Sequence, residues 1–206
     1  KMIGVFLKSS ESILIVGASS PSRLIARFLR DKGKRVVLID ANKNFIEEAL
    51  NDGLEAFNVN VYQDNLTDNI ELNDVGYLIA ITGSDAVNKQ ALTNFSKIFG
   101  EHGSYKIASS VETKNATIEE RKNFFTPNDD FINLCEAYRE YPIINEVKII
   151  SEKEYYKTLD LLALEEKSIP LFIEKDKGLY LVPEFEKTTE ERKELVLSYL
   201  GKKLVT

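Results

Sequence analysis

SILIVGASSPSRLIARFLRDKGKRVVLID, residues 12–40, is the stretch whose reading decides the fold. Its first half is a continuous Ile/Leu/Val run that ends at Gly17, the pattern of a strand buried on both faces. Ser20 is a good helix N-cap and Pro21 suits the first helical position. Leu24, Ile25, Phe28 and Leu29 then form one apolar stripe, and Gly33 closes the helix. A second apolar run, Arg35–Asp40, ends in an acid. Strand, helix and parallel strand in this order open a doubly wound nucleotide-binding fold.

The loop after the first strand is where the pattern breaks. A dinucleotide fingerprint, G-x-G-x-x-G, keeps only Gly17; Ser19 and Ser22 replace the other two glycines. A Cβ at Ser19 crowds the approach to a pyrophosphate, whereas the hydroxyls of Ser19 and Ser20 can donate to a single phosphate at a helix N-terminus. A mononucleotide therefore suits the loop better than tightly held NAD. Ser22 keeps a small side chain where helix and sheet meet, and Arg23 in the first turn is either a solvated cation or an anion contact. Asp40, twenty-three residues after Gly17, stands where a carboxylate accepts from ribose hydroxyls and disfavours a 2′-phosphate. Ligands in this fold lie beyond the carboxyl ends of the strands, which adds Ala18, Asn60 after the third strand, and Thr82 and Gly83 after the fourth. Asp85 and Asn88 read as caps of the following helix.

Outward from this core the βα rhythm continues, with strands at 54–59, 76–82 and 104–108 and helices at 43–51, 64–72 and 85–99. A sixth strand at 123–125 and a helix at 128–139, with Phe131, Leu134 and Cys135 facing inward, complete residues 12–140. Residues 1–11 form a lead-in segment. Residues 146–206 change character: a strand, a helix at 152–164 and a hairpin signalled by Lys175-Asp-Lys-Gly178. Residues 194–200 fit strand or helix. The fold class is α/β, a Rossmann-like doubly wound parallel sheet with a small C-terminal α+β subdomain.

The chain has 206 residues, 27 Lys and Arg, 33 Asp and Glu, and a net charge of −6. Interspersed cations and an acidic balance argue against a nucleic-acid partner. No apolar run reaches the roughly 20 residues that span a bilayer, and no signal peptide is visible. The single Cys135 makes no internal disulfide and points to a reducing compartment, and with the lone His102 it excludes a Cys/His metal site. No Tyr-x-x-x-Lys pair, G-x-S-x-G elbow or P-loop lysine is present.

With these residues placed, the chain resembles the TrkA-N/RCK family of ligand-sensing cytosolic domains, and within it the soluble C-terminal tail of NhaP-type bacterial sodium/proton antiporters. The resemblance is carried by Leu14–Ala18, Val37–Asp40, Gly53–Ala56, Asn60, Asp74–Thr82, Asp85–Asn88 and Phe99-Gly100, and covers about residues 3–108. Val59-Asn60 replaces the Gly-Asp that commonly ends the third strand. The resemblance implies a regulatory domain on the cytoplasmic face of the inner membrane, not an enzyme. It implies a transmembrane antiporter domain upstream in the same polypeptide, a homodimer, and AMP, another adenine nucleotide or NAD(H) as ligand. The competing readings are an NAD(P)-dependent oxidoreductase with its catalytic residues in the C-terminal third, and a degenerate scaffold that binds nothing.

Overall fold

A computed structural model describes residues 12–63, 75–99, 103–121, 123–165, 167–176, 178–186 and 188–204. The lead-in segment 1–11, the expected helix at 64–72 and His102 lie outside them.

The opening stretch forms β1 (Ser12–Val16), α1 (Ser20–Asp31) and β2 (Val36–Asp40). Then follow α2 (Lys43–Asn51), β3 (Glu55–Asn58), β4 (Val75–Ala80), α3 (Asp85–Phe99) and β5 (Ser104–Lys106). The five strands make one parallel sheet in the order β3-β2-β1-β4-β5. The chain reverses its lateral direction at β1, so a crevice opens between the C-terminal ends of β1 and β4. Strand periodicity sends Ile13 and Ile15 to the face covered by α1 and α2, and Leu14 and Val16 to the face covered by Ala91 and Phe95 of α3.

Beyond β5 the expected sixth strand is replaced by an isolated parallel bridge, Lys106 to Phe124. The short helices α4 (Glu112–Asn115) and α5 (Ile118–Arg121) precede it. Arg121 donates to the carbonyls of Ala116, Thr113 and Pro127, which holds this stretch as a knot of turns instead of a ladder. Helix α6 (Phe131–Glu140) starts later than its sequence pattern suggests because Asp130 caps it, accepting from the Asn133 N–H at 2.9 Å.

A second sheet is antiparallel, in the order β6-β9-β7-β8: β6 (Ile144–Ile149), β7 (Ile169–Lys175), β8 (Gly178–Leu181) and β9 (Leu195–Leu200). Residues 195–200 are thus a strand, and a central one. Helix α7 (Glu152–Leu164) covers one face together with α8 (Val182–Phe185), a short turn after β8. The other face is not a separate core. Ile169, Phe172, Leu179, Leu181 and Leu200 belong to the same apolar cluster as α1 and α6. Phe172 stacks on Phe28 of α1 with ring centroids 5.6 Å apart, and Lys32 at the end of α1 ion-pairs with Glu146 of β6 (2.6 Å) and Glu174 of β7 (2.7 Å).

Candidate functional site

Gly17 makes the crevice possible for backbone reasons. Its φ is +110°, and a Cβ there would lie 2.3 Å from the Ile81 carbonyl oxygen. The residue is demanded by the turn from β1 into α1, pressed against the chain just past β4, whether or not a ligand binds. Ala18 is fully buried beneath the turn, and its N–H donates to Asp40 Oδ2 at 2.8 Å. Asp40 Oδ1 accepts from the Asn42 N–H, also at 2.8 Å. Asp40 therefore clamps the glycine turn against the start of α2. A carboxylate offers about four lone-pair sites, so a hydroxyl arriving from the crevice still finds an acceptor.

Ser19, not Ser20, is the N-cap of α1, and no side chain caps the helix. The Ser19 and Ser22 hydroxyls lie 2.9 Å apart, and Ser22 also reaches the Ile81 carbonyl at 3.4 Å. Ser22 is fully buried, which is the close helix–sheet packing its position requires. Pro21 carries no N–H, so this helix end offers an anion one donor fewer than usual.

Arg23 fits neither expectation held for it. It is buried, donates to the Ala18 carbonyl at 2.9 Å, and pairs with Glu48 (2.7 Å) and Asp52 (3.1 Å) of the α2 region. Its carboxylate partners lie on the α2 side, while Nη2 also reaches the Ser20 hydroxyl at 3.4 Å at the edge of the cleft. Asn88 is likewise not a cap. It accepts from both the N–H and the hydroxyl of Thr82 and donates to the Thr82 carbonyl, fixing the 82–84 turn from below. Asp85 instead ion-pairs with Lys106 (2.9 Å) and Lys89 (2.6 Å), and these two ammonium groups hold its carboxyl below the usual range against the opposing effect of burial.

The cleft at this crevice encloses about 470 Å³. Gly17, Ser19, Ser20, Asp40, Thr82 and Gly83 line it, so six of the eight residues chosen from sequence meet there. Ala18 lies under the floor. Asn60 is not brought to the cleft: it is exposed, and its Oδ1 accepts from the Tyr62 N–H at 3.0 Å in a local turn. The opposite wall comes from residues that sequence reasoning missed, namely Phe45 of α2 and Phe131, Cys135, Tyr138 and Arg139 of α6. Residues 131, 135, 138 and 139 recur at helical spacing; the sequence pattern sends Phe131 and Cys135 inward and assigns Tyr138 and Arg139 no role. Cys135 is half-buried at this wall and does not face the interior, and burial pushes its thiol pKa up while Arg139 opposes the shift. It is held as a neutral thiol. Gly83 brings α6 close, since a Cβ there would lie 3.1 Å from the Phe131 ring. The cleft thus has polar backbone and Asp40 at one end, aromatic walls, and the exposed guanidinium of Arg139 at the rim. Among the described residues no His/Cys/Asp/Glu cluster could hold a metal.

Comparison with known proteins agrees with the first half of the chain. No curated protein matches. Among solved structures, the NAD(P)-binding domain of an exopolyphosphatase-related protein from Archaeoglobus fulgidus is 20% identical with a TM-score of 0.42, over 50% of this chain and 78% of that one. The TrkA-N domain of the inner membrane protein ybaL from Escherichia coli is 13% identical with a TM-score of 0.40, over 52% and 77%. The GsuK RCK domain aligns with 97% of this chain and 47% of its own, at 11% identity and a TM-score of 0.45. The family model of the TrkA-N domain matches residues 13–124, which is more than half of the chain and runs from β1 to the Lys106–Phe124 bridge. The chain belongs to the TrkA-N domain family.

Proposed function

We propose that this chain is a regulatory module that binds an adenine mononucleotide, AMP-like in charge, in the α6-walled cleft and passes its occupancy to a cation/proton antiporter on the cytoplasmic face of a membrane. One observation carries the ligand class: Gly17 and Asp40 share a cleft with three aromatic side chains, Phe45, Phe131 and Tyr138. Ribose hydroxyls would donate to Asp40, a base would lie among the aromatics, and a phosphate would face Ser19, Ser20 and the Arg139 rim. The volume falls within the about 300–1,000 Å³ usual for small-molecule sites. Crowding by the Ser19 Cβ and the closeness of α6 disfavour a second nucleotide half, so NAD(H) ranks below a mononucleotide.

Helix α6 is the element through which occupancy would travel. Its residues wall the cleft, its end is tied to Lys167 by Glu140 at 2.5 Å, and the chain runs from it within a few residues into β6. A ligand shifts this arrangement only as far as its affinity differs between two α6 positions. No helix among the described residues is long and apolar enough to cross a membrane; ion translocation belongs, in this reading, to a membrane-spanning partner. Two copies working as a pair complete the reading.

Calorimetry and thermal shift with AMP, ADP, ATP, NAD, NADH, NADP and NADPH test it. A ligand of the native state raises stability by mass action. AMP should stabilise the chain, and Asp40→Asn, which keeps an acceptor for the Ala18 N–H, should weaken that effect. Silence from every nucleotide at millimolar concentration would leave the cleft as a packing feature of a scaffold.

A further inference from the structure

Strand β6 lies at the edge of the second sheet and pairs, among the described residues, with β9 alone. An open strand edge is a template for another strand. The edge is bordered by exposed apolar side chains, Ile143 (55% exposed) and Ile150 (75% exposed). Its centre carries one charge of each sign, Glu146 and Lys148, both exposed. Glu146 spends Oε1 on Lys32 and a long contact with Ser198, which leaves Oε2 uncommitted. Lys148 has no ion-pair partner among the described residues, although Glu174 and Glu194 border the same shallow depression.

We infer that a second copy of this chain occupies this edge, β6 pairing antiparallel with the partner's β6 about Val147 to join two four-stranded sheets into one. This inference shares with the preceding reading the pairing of two copies and does not need the cleft to be filled.

The register follows from strand geometry. In an antiparallel pair, residues whose backbone groups point outward must face residues of the same kind. For two identical strands, the two-fold therefore passes beside a residue and never between two residues. A centre at Glu146 sets Glu146 against its own copy and Lys148 against Ile144. A centre at Lys148 sets Lys148 against its own copy. Like charges directly opposite are unfavourable. A centre at Val147 sets Glu146 against the partner's Lys148 and, by symmetry, Lys148 against the partner's Glu146. It also brings Ile144 opposite the partner's Ile150, covering an apolar side chain that each copy leaves in water. The charges thus select one register, while the backbone ladder and the isoleucines supply attraction.

Sedimentation equilibrium of the 206-residue chain tests this directly. The wild type should show a reversible dimer. Lys148→Glu should weaken it at least about tenfold, because both cross-strand pairs become repulsive, and Glu146→Lys should do the same. An equimolar mixture of the two single variants should regain the dimer as a heterodimer, since every pair is again opposite in sign. A merely structural role for either residue gives no such rescue. Val147→Cys in a Cys135→Ser background should form a disulfide-linked dimer on mild oxidation, and adding Lys148→Glu should suppress it. That second route stands even if Glu146→Lys loses its fold through Lys32. A chain monomeric to millimolar concentration, a dimer indifferent to Lys148→Glu, or an absent Val147→Cys cross-link would overturn the proposal. Nucleotide-independent dimerisation with no ligand response would leave this inference standing and remove the cleft reading instead.

Discussion

At Gly17 two demands meet in one residue: a left-handed backbone at φ +110° and an approach that a Cβ would close to 2.3 Å from the Ile81 carbonyl. Gly17→Ala should therefore lower the stability of the whole chain by at least about 2 kcal/mol, seen as a fall in the urea midpoint without a change in slope. Asp129 sets a different constraint. Burial raises its pKa to about 6, the charge of Asp130 adds to the rise, and a hydrogen bond from Asn133 opposes it. The folded protein therefore keeps this proton to about pH 6, while the unfolded chain releases it near the ordinary Asp value of 3.8. Between these limits folding takes up a proton, so Asp129 favours the fold at low pH and that contribution is lost as pH rises through about 6. Asp129→Asn should raise the urea midpoint at about pH 7.5 and lose its advantage as pH falls to about 4.

Helix α6 is the element on which the functional reading turns. Leu134 and Ala137 anchor it in the core, so its cleft-facing residues can be cut back without unfolding it. Tyr138 is only half-buried and Arg139 is exposed. Tyr138→Ala and Arg139→Ala should each leave the melting temperature within a few degrees of wild type. They should differ by ligand: Arg139→Ala should weaken AMP and spare adenosine, whereas Tyr138→Ala should weaken both. Equal losses for both ligands in Arg139→Ala would place the phosphate elsewhere. Calorimetry with the two ligands separates these outcomes.

For the whole molecule, the shared core is the governing fact. Phe172 of the second sheet is fully buried between Phe28 of α1 and Phe125, with ring centroids at 5.6 and 6.0 Å. Phe172→Ala should cost about 3–5 kcal/mol. Because the cavity opens in a cluster common to both sheets, the parallel sheet should lose stability together with the antiparallel one. Hydrogen exchange should show protection falling in β1 and β7 alike. Protection lost in β7 alone would mean that the two sheets melt as separate units.

The parallel sheet was legible from residues 12–40 because buried strands and their connecting helix are written in local periodicity, and Gly17 and Asp40 were legible because the fold assigns them fixed places beside the first two strands. The glycine turn and the small residue at Ser22 follow from the same local logic. Three features were decided only by tertiary structure. Arg23 looks like a surface cation until Glu48 and Asp52 arrive from α2 to bury it. Residues 195–200 alternate weakly because, as a central strand with α7 on one side and α1 on the other, they need apolar side chains on both faces. The second wall of the cleft comes from α6, some ninety residues after Asp40, and its Phe131 and Cys135 read as core until the packing of Gly83 against Phe131 turns them toward the crevice. Local sequence determines which segments bury which faces; which buried face meets which, and so where a cavity is left between them, depends on contacts between residues far apart in the chain.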